Sequence, residues 1–167
     1  MNELEIVEWV RGRSRTHSSI LTGIGDDMAV IAASAGQFLL SSDMLLDGVH
    51  FDSKIHTFRQ IGRKAVARVL SDCAAMAVQP IAVLVSVALP NDMLSGSVKE
   101  LFEAMHVVAE EFGAVVAGGD TARWNAPLAI DITIAAEPFP GIAPIKRDGA
   151  NVNDVLYTTG RLGGSIL

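Results

Sequence analysis

Cysteine and basic residues are both scarce in this sequence. Cys73 is the only cysteine among 167 residues, so no internal disulfide can form and a cytoplasmic protein is the economical interpretation. Lys and Arg number 13 against 19 Asp and Glu. A chain with this acidic balance lacks the positive surface that a polyanion requires, which argues against nucleic-acid binding. Any phosphate ligand would need metal ions to bridge the acidic side chains to it.

Long apolar runs are also missing. The longest uninterrupted ones are shorter than ten residues, whereas a membrane-spanning helix needs about 20. The N-terminal segment Met1–Glu5 is acidic and lacks the basic and apolar regions of a signal peptide. We therefore expect neither a membrane span nor a secretion signal.

The composition is that of a folded chain with a sizeable core. Hydrophobic residues make up 50% of the sequence, which is too many for a disordered protein. The 15 glycines and 6 prolines are too few for a low-complexity segment. The length suits one domain, or one domain plus a fragment of another.

Apolar periodicity predicts three helices and five strands. The helices are predicted over 3–12, 58–78 and 95–112, with Pro80 ending the second. The strands are predicted over 28–32, 37–46, 81–89, 114–117 and 128–134. This order favours an α+β fold, a mixed or antiparallel sheet with helices on one face. The strand over 81–89 is apolar on both sides, so it is either central or covered by a partner subunit.

The segment after Pro138 changes character. Residues 139–153 are loop-like and contain two prolines and two glycines. A new strand is predicted to begin over 154–159, followed by a turn at 160–164. We therefore predict a first domain over 1–140. Residues 141–167 are predicted to form a linker and the first strand of a truncated second domain.

Five aspartates are candidates for chemistry. They are Asp26, Asp27, Asp43, Asp72 and Asp120. All except Asp43 have mainly Gly, Ala or apolar neighbours, where an isolated carboxylate is costly to bury. Converging, they would form a hard-oxygen site suited to Mg²⁺ and phosphate. Any one of them, taken alone, more often caps a helix or turn, as Asp26 would after Gly25. Asp72 is the hardest to explain in that way, because it lies inside an apolar helix.

Two further features point towards phosphate or catalysis. Gly118-Gly119-Asp120 resembles a phosphate-binding loop, because two glycines let backbone N–H groups approach an anion. The P-loop and dinucleotide-binding patterns are both absent, since Met28 stands where the third glycine of the latter would be. His50 is a candidate substrate ligand or acid–base group.

Nucleophilic catalysis has weaker support. A hydrolase that combines Ser41 or Ser42 with His50 is conceivable, but no Gly-x-Ser-x-Gly elbow is present. Cys73 is better interpreted as a small buried hydrophobic residue than as a nucleophile.

Four segments carry a family resemblance. They are Gly23–Asp27, Ser42–Phe51, Leu70–Ala77 and Gly118–Thr121. In order and spacing they resemble the N-terminal half of thiamine-monophosphate kinases, which belong to the ATP-dependent AIR-synthase and selenophosphate-synthetase superfamily. The resemblance implies an AIR-synthase-like domain that binds ATP and Mg²⁺. It also implies transfer of the ATP γ-phosphoryl group to thiamine monophosphate, giving thiamine diphosphate.

The resemblance also implies roles for individual residues. The implied metal ligands are Asp27, Ser42, Asp43, Asp72 and Asp120. The implied ATP contacts are Gly119, Asp120 and Arg147, and His50 is the implied thiamine-phosphate contact. No catalytic residue beyond the metal ligands is implied. In this superfamily the N-terminal domains pair across strands as a homodimer with nucleotide nearby, and the strand over 81–89 is the candidate interface.

Three departures from the family pattern stand out. Met44 replaces the usual threonine after the Ser/Thr-Asp pair, and Asn151–Asp154 replaces a Pro-Gly-Asp run. Leu167 follows shortly after a segment resembling the start of the family's second domain, which normally adds further acids and substrate contacts. Two alternatives remain open: another ATP-dependent enzyme of the superfamily, or a non-catalytic nucleotide-binding or dimerisation module. The chain retains the four aspartates that match the family's metal-binding positions, which argues against a non-catalytic module.

Overall fold

A six-stranded mixed sheet is the centre of the fold. The computed structural model describes residues 3–13, 17–34, 36–158 and 160–162. The elements in chain order are α1 (Glu3–Arg13), β1 (Ile20–Thr22), β2 (Ala29–Ala33), β3 (Gly36–Leu46), α2 (Phe58–Met76), β4 (Val78–Pro90), α3 (Ser95–Glu111), β5 (Val115–Trp124) and β6 (Ala129–Pro138). The strand order is β1-β2-β3-β6-β4-β5. Among the strands that the structure describes, β4 and β5 are the one pair that is parallel, so the predicted mixed sheet is confirmed.

Helices α2 and α3 cover one face of this sheet. Residues 83, 85, 87 and 89 of β4 and 130, 132 and 134 of β6 alternate into the core beneath them. The opposite face is open, and Leu84 and Met44 are 48% and 55% exposed there. The sequence predicted that β4 is either central in the sheet or covered by a partner subunit. It lies between β6 and β5, so it is central. Its second apolar face is exposed in the single chain.

Local chemistry sets the limits of α2. Thr57 and Gln60 form a capping box, with the Gln60 N–H donating to Thr57 Oγ1 at 3.2 Å and the Thr57 N–H to Gln60 Oε1 at 2.9 Å. At Gly62 an added Cβ would lie 2.4 Å from the carbonyl oxygen of Leu101, so the absence of a side chain lets α2 and α3 approach closely there. The helix ends at Ala77, which has a left-handed φ of 51°.

The predicted role of Pro80 was wrong. Helix α2 stops at Met76, and Pro80 lies inside β4 opposite Ala136. The pairing with β6 is irregular between Pro80 and Ala82. Proline has no N–H for the ladder, so it is tolerated at such an irregularity near the start of a strand.

The predicted strand over 154–159 is also not found. Residues 154–158 form no strand, and Thr159 lies outside the described residues. Val155, Leu156 and Tyr157 are all strongly exposed. A strand needs a neighbour to accept its backbone hydrogen bonds, and no neighbouring strand is present among the described residues. The division into 1–140 and 141–167 stays a prediction. Within the described part of the chain, no helix combines the length and apolar character needed to cross a bilayer.

Candidate metal and nucleotide site

Asp72 on α2 is hydrogen-bonded to strand β3. Ser41 and Asp43 alternate onto the face of β3 that α2 covers, and Ser41 Oγ donates to Asp72 Oδ2. Burial raises the pKa of Asp72, and the charges of Asp43 and Asp27 raise it further, while the hydrogen bond from Ser41 opposes them. The helix and the strand therefore hold this carboxyl together in an environment that disfavours its charge.

Asp43 is paired with an arginine from the same helix. Arg68 lies one turn before Asp72 on α2, and its Nε is 3.1 Å from Asp43 Oδ1. Both partners are partly buried. Helix α2 thus presents one acid and one base to β3.

Asp27 is paired with an arginine from far along the chain. In the loop before β2, its Oδ1 lies 2.6 Å from Arg147 Nη2 and its Oδ2 lies 3.2 Å from Arg147 Nε. The hydrogen bonds from Arg147 lower the pKa of Asp27. Asp26 Oδ1 accepts the N–H of the next residue, Asp27, at 3.0 Å, which is a contact within this loop.

These three acids form one electrostatic group, which we call the Asp72 cluster. It comprises Asp27, Asp43 and Asp72 with Ser41, Arg68 and Arg147. The acids come from the loop before β2, from β3 and from α2, so the tertiary fold alone brings them together. Two guanidinium groups offset most of the charge of three carboxylates.

The other two predicted metal ligands lie elsewhere. Alternation along β3 places Ser42 on the open face, where its Oγ donates to Asp131 Oδ2 at 2.9 Å. Asp120 pairs in register with Ser86 on β5 and β4. It lines a shallow cavity of about 230 Å³ on the open face together with Met44, Ser86 and Asp131. The structure therefore divides the predicted ligand set between the two faces of the sheet.

The predicted phosphate loop is a strand in the structure. Gly118, Gly119 and Asp120 all belong to β5. Gly119 has a φ of +147°, and a Cβ there would be 1.9 Å from the carbonyl oxygen of Val85. The glycine is required by the close approach of β4, whatever it contributes to a ligand.

His50 lies in the turn that follows β3. Its Nδ1 accepts the Leu46 N–H at 3.0 Å, so the neutral ring carries its proton on Nε2. Lys64 Nζ donates to the His50 carbonyl oxygen and ties the turn to α2. The conceivable hydrolase finds no support in the hydrogen bonds of these residues, because Ser41 donates to Asp72 and Ser42 to Asp131. Cys73 is buried as predicted, and burial raises its thiol pKa to about 11.

Sequence reasoning missed Asp131 and Arg68. Asp131 is the polar member of an alternating strand, and cross-strand pairing of β3 and β6 could have linked it to Ser42. Arg68 stands four residues before Asp72, which is the spacing of neighbours on one helix face.

The donor chemistry of the Asp72 cluster fits Mg²⁺, since three carboxylates and a hydroxyl supply only hard oxygen atoms. In the arrangement observed, however, no three acidic, histidine or cysteine side chains among the described residues surround a single metal position. Two of the three carboxylates are instead bonded to guanidinium groups.

Known proteins are similar to this chain in sequence and in fold. The thiamine-monophosphate kinase of Rhodopirellula baltica is 38% identical over 99% of this chain and 54% of its own length. That of Bacillus subtilis is 34% identical over 99% of this chain and 51% of its own length. The solved structure of AaThiL complexed with AMPPCP and TMP matches 89% of this chain and 45% of that one, with a TM-score of 0.78 and 25% identity.

The chain therefore spans about half the length of the curated relatives it matches. Residues 25–137 match the family described as AIR synthase related protein, N-terminal domain. That region contains strands β2 to β5, all of β6 except its last residue, and both helices of the covered face. The chain belongs to the AIR synthase related protein family.

Proposed function

We propose that this chain is the ATP- and Mg²⁺-binding N-terminal half of a thiamine-monophosphate kinase. The reaction is transfer of the γ-phosphoryl group of ATP to thiamine monophosphate, giving thiamine diphosphate. The observation that carries the proposal is the Asp72 cluster, in which three distant acids of the family motifs converge on β3 and α2. The similarity of the whole chain to two thiamine-monophosphate kinases supports the choice of acceptor.

The chemistry of this transfer demands positioning and charge neutralisation more than covalent catalysis. Both substrates are anionic, and the chain carries a formal net charge of −6. Bound Mg²⁺ would supply the positive charge between the carboxylates and the phosphates. Asp27, Asp43 and Asp72 would hold it, while Ser41 orients the Asp72 carboxyl through its hydrogen bond.

The remaining residues take roles consistent with their positions. Arg147 is exposed and carries a guanidinium suited to bidentate phosphate contact. Gly119 is exposed and has no side chain, so a phosphate can approach its backbone. His50 presents an Nε2 proton that a phosphate oxygen of the acceptor can accept.

The proposal includes a homodimer formed through the open face of the sheet. Leu84 and Met44 are apolar and exposed there, and a second copy would remove them from water. Ser42, Asp120 and Asp131 would then lie at the interface, with the nucleotide close to it. We expect light scattering after size exclusion to give the mass of a dimer at micromolar concentration.

Two matched substitutions test that interface. Leu84→Lys places a charge on the open face and should give a monomer. Val107→Lys changes a side chain of similar exposure on α3 and should leave the dimer intact. A monomeric parent chain would overturn the dimer without affecting the Asp72 cluster.

The nucleotide site is tested by isothermal titration with a non-hydrolysable ATP analogue, with and without Mg²⁺. We expect Mg²⁺-dependent binding by the parent chain and its loss in Asp72→Asn. Asp92→Asn makes the same chemical change at an exposed position outside the cluster and should bind as the parent does.

Binding that survives in Asp72→Asn would contradict the proposed role of the cluster. If the parent chain binds, turnover of thiamine monophosphate is the next measurement, both alone and with a separately supplied second half from a relative.

A further inference from the structure

Arg147 occupies both carboxylate oxygens of Asp27. Nη2 lies 2.6 Å from Oδ1 and Nε lies 3.2 Å from Oδ2, so the contact is a bidentate one. Nη1 lies 3.5 Å from the Gly25 carbonyl oxygen, which keeps the guanidinium against the loop before β2. Each oxygen keeps a second lone pair, but a cation at Asp27 would lie close to the guanidinium and repel it, so the two compete for this carboxylate.

The segment that carries Arg147 is loosely attached. Residues 139–149, which we call the strap, contain no helix or strand. A backbone hydrogen bond of 2.9 Å from the Ile145 N–H to the Met76 carbonyl oxygen ties the strap to the end of α2. A cavity of about 220 Å³ separates it from β1 and β2, with Thr22 and Val30 on one side and Pro144 and Lys146 on the other. The ion pair with Asp27 is therefore a main restraint on the strap.

The second arginine of the cluster is attached differently. Arg68 makes a single hydrogen bond to Asp43, from Nε to Oδ1 at 3.1 Å, and its backbone lies within the continuous helix α2. The Arg68 side chain can change its rotamer, but its backbone is held in the helix and cannot move away from Asp43. Arg147 is 61% exposed at the side chain against 22% for Asp27, so its withdrawal leads directly into solvent.

An exposed ion pair gives way easily to a divalent competitor. Such pairs contribute little net free energy, because both groups are well solvated when they separate. A hard divalent cation prefers carboxylate oxygens and carries twice the charge of the guanidinium. The competition also involves Asp72, because the positive charge of Arg147 lowers the pKa of that carboxyl as well.

We propose that Arg147 is a displaceable countercharge at Asp27: a divalent cation takes its place there, and the exchange releases the strap and turns the guanidinium towards a phosphate ligand. The last step rests on the proposed nucleotide function, whereas the exchange itself does not. Cation binding and strap release are then linked, so each favours the other by the same factor.

The exchange is tested by titrating the full chain with Mg²⁺ in the absence of nucleotide, followed calorimetrically. Arg147→Ala should bind Mg²⁺ about two- to fivefold more tightly than the parent, the range expected from removing a competing exposed ion pair. Lys146→Ala loses the same charge from the neighbouring position and should tighten binding by less than about twofold, because that charge is screened. Arg147→Lys keeps the charge without the bidentate fork and should fall between them.

Hydrogen exchange supplies a readout that does not depend on affinity. In the parent chain, saturating Mg²⁺ should accelerate exchange of the Ile145 amide, because its bond to Met76 loosens when the strap is released. The Ile61 amide, bonded to the Thr57 carbonyl oxygen at the start of α2, should not change. In Arg147→Ala the Ile145 amide should exchange rapidly with or without Mg²⁺.

Three results would overturn the exchange. They are equal tightening by Arg147→Ala and Lys146→Ala, slower Ile145 exchange on adding Mg²⁺, and no Mg²⁺ binding by either the parent or Arg147→Ala. Mg²⁺ binding with strap release but without binding of an ATP analogue would leave the exchange standing and remove the nucleotide function. Nucleotide binding with Arg147 still paired to Asp27 would leave the nucleotide function standing and overturn the exchange.

Discussion

The two faces of the sheet carry polar groups of similar type in very different surroundings. On the face covered by α2, Ser41 donates to Asp72 beside a core that excludes water. On the open face, Ser42 donates to Asp131 in contact with solvent. The two serines are neighbours in sequence, yet strand alternation sends them to opposite sides. A hydroxyl next to an acid therefore acquires its role from the face it occupies, and adjacency in a motif does not reveal that face.

The comparison also separates two kinds of site. The Asp72 cluster is complete within one chain, because its acids come from β3, α2 and the loop before β2. The open-face group of Ser42, Asp120 and Asp131 is shallow and lies among exposed apolar residues. Under the proposed function, that second group works at a surface shared with another copy of the chain.

The largest contrast between the faces is expected in stability. Leu45→Ala removes a fully buried side chain beneath the helices and should lower the free energy of unfolding by about 2–5 kcal/mol. Leu84→Ala makes the same change on the open face, where the side chain is 48% exposed, and should cost about 0.5 kcal/mol. Urea unfolding of both variants, at low protein concentration, measures the difference.

Protein concentration sharpens this contrast. If a second copy covers the open face, the penalty for Leu84→Ala should grow as the concentration rises, because folding is then linked to association. The penalty for Leu45→Ala should stay constant. Equal penalties for the two variants at every concentration would mean that the faces do not differ as described.

A smaller contrast is expected between the neighbouring serines. Ser41→Ala removes a hydrogen bond to a partly buried carboxyl and should cost about 1–2 kcal/mol of unfolding free energy. Ser42→Ala removes exposed hydrogen bonds and should cost less than about 0.5 kcal/mol. Chemical denaturation of the two variants is the measurement. A larger loss of unfolding free energy from Ser42→Ala than from Ser41→Ala would show that the hydrogen bonds of the open-face serine contribute more to stability.

Much of the architecture could be predicted from the sequence because it depends on local pattern. The four-residue spacing of Ile61, Ala65, Val69 and Cys73 marked the buried side of α2, and all four are buried in the structure. Alternation marked β4 and β6 in the same way. The end of α2 was misplaced, since the left-handed turn occurs at Ala77 and the visible proline lies in the next strand.

The site was less predictable because it depends on contacts between distant residues. Nothing local links Asp27 to Arg147, which lie 120 positions apart. The glycines at 118 and 119 suggested a loop, whereas the approach of the Val85 carbonyl oxygen explains why Gly119 is needed within a strand. The sequence singled out the acids of the family motifs as a set, and their role as metal ligands stays a prediction. Their division between two faces required the register of the sheet.

The smallest expected effect concerns the pH dependence of two acids within the Asp72 cluster itself. Burial raises the pKa of Asp72 in the folded chain, so between its unfolded and folded pKa values the folded state binds more protons than the unfolded state. The free energy of unfolding should therefore fall as pH rises through that window.

Asp27 behaves in the opposite way. The hydrogen bonds from Arg147 lower its folded pKa, so its contribution is present above the unfolded value and is lost as pH falls through the folded one. Asp72→Asn should remove a decline in stability on the alkaline side of the usual aspartate range, and Asp27→Asn a decline on the acidic side. Unfolding free energies of the parent and both variants, measured from below the usual aspartate pKa range up to neutral pH, distinguish the two carboxyls. Parallel pH profiles for the two variants would mean that Arg147 does not distinguish Asp27 from Asp72, and the displaceable countercharge would then lose its electrostatic basis.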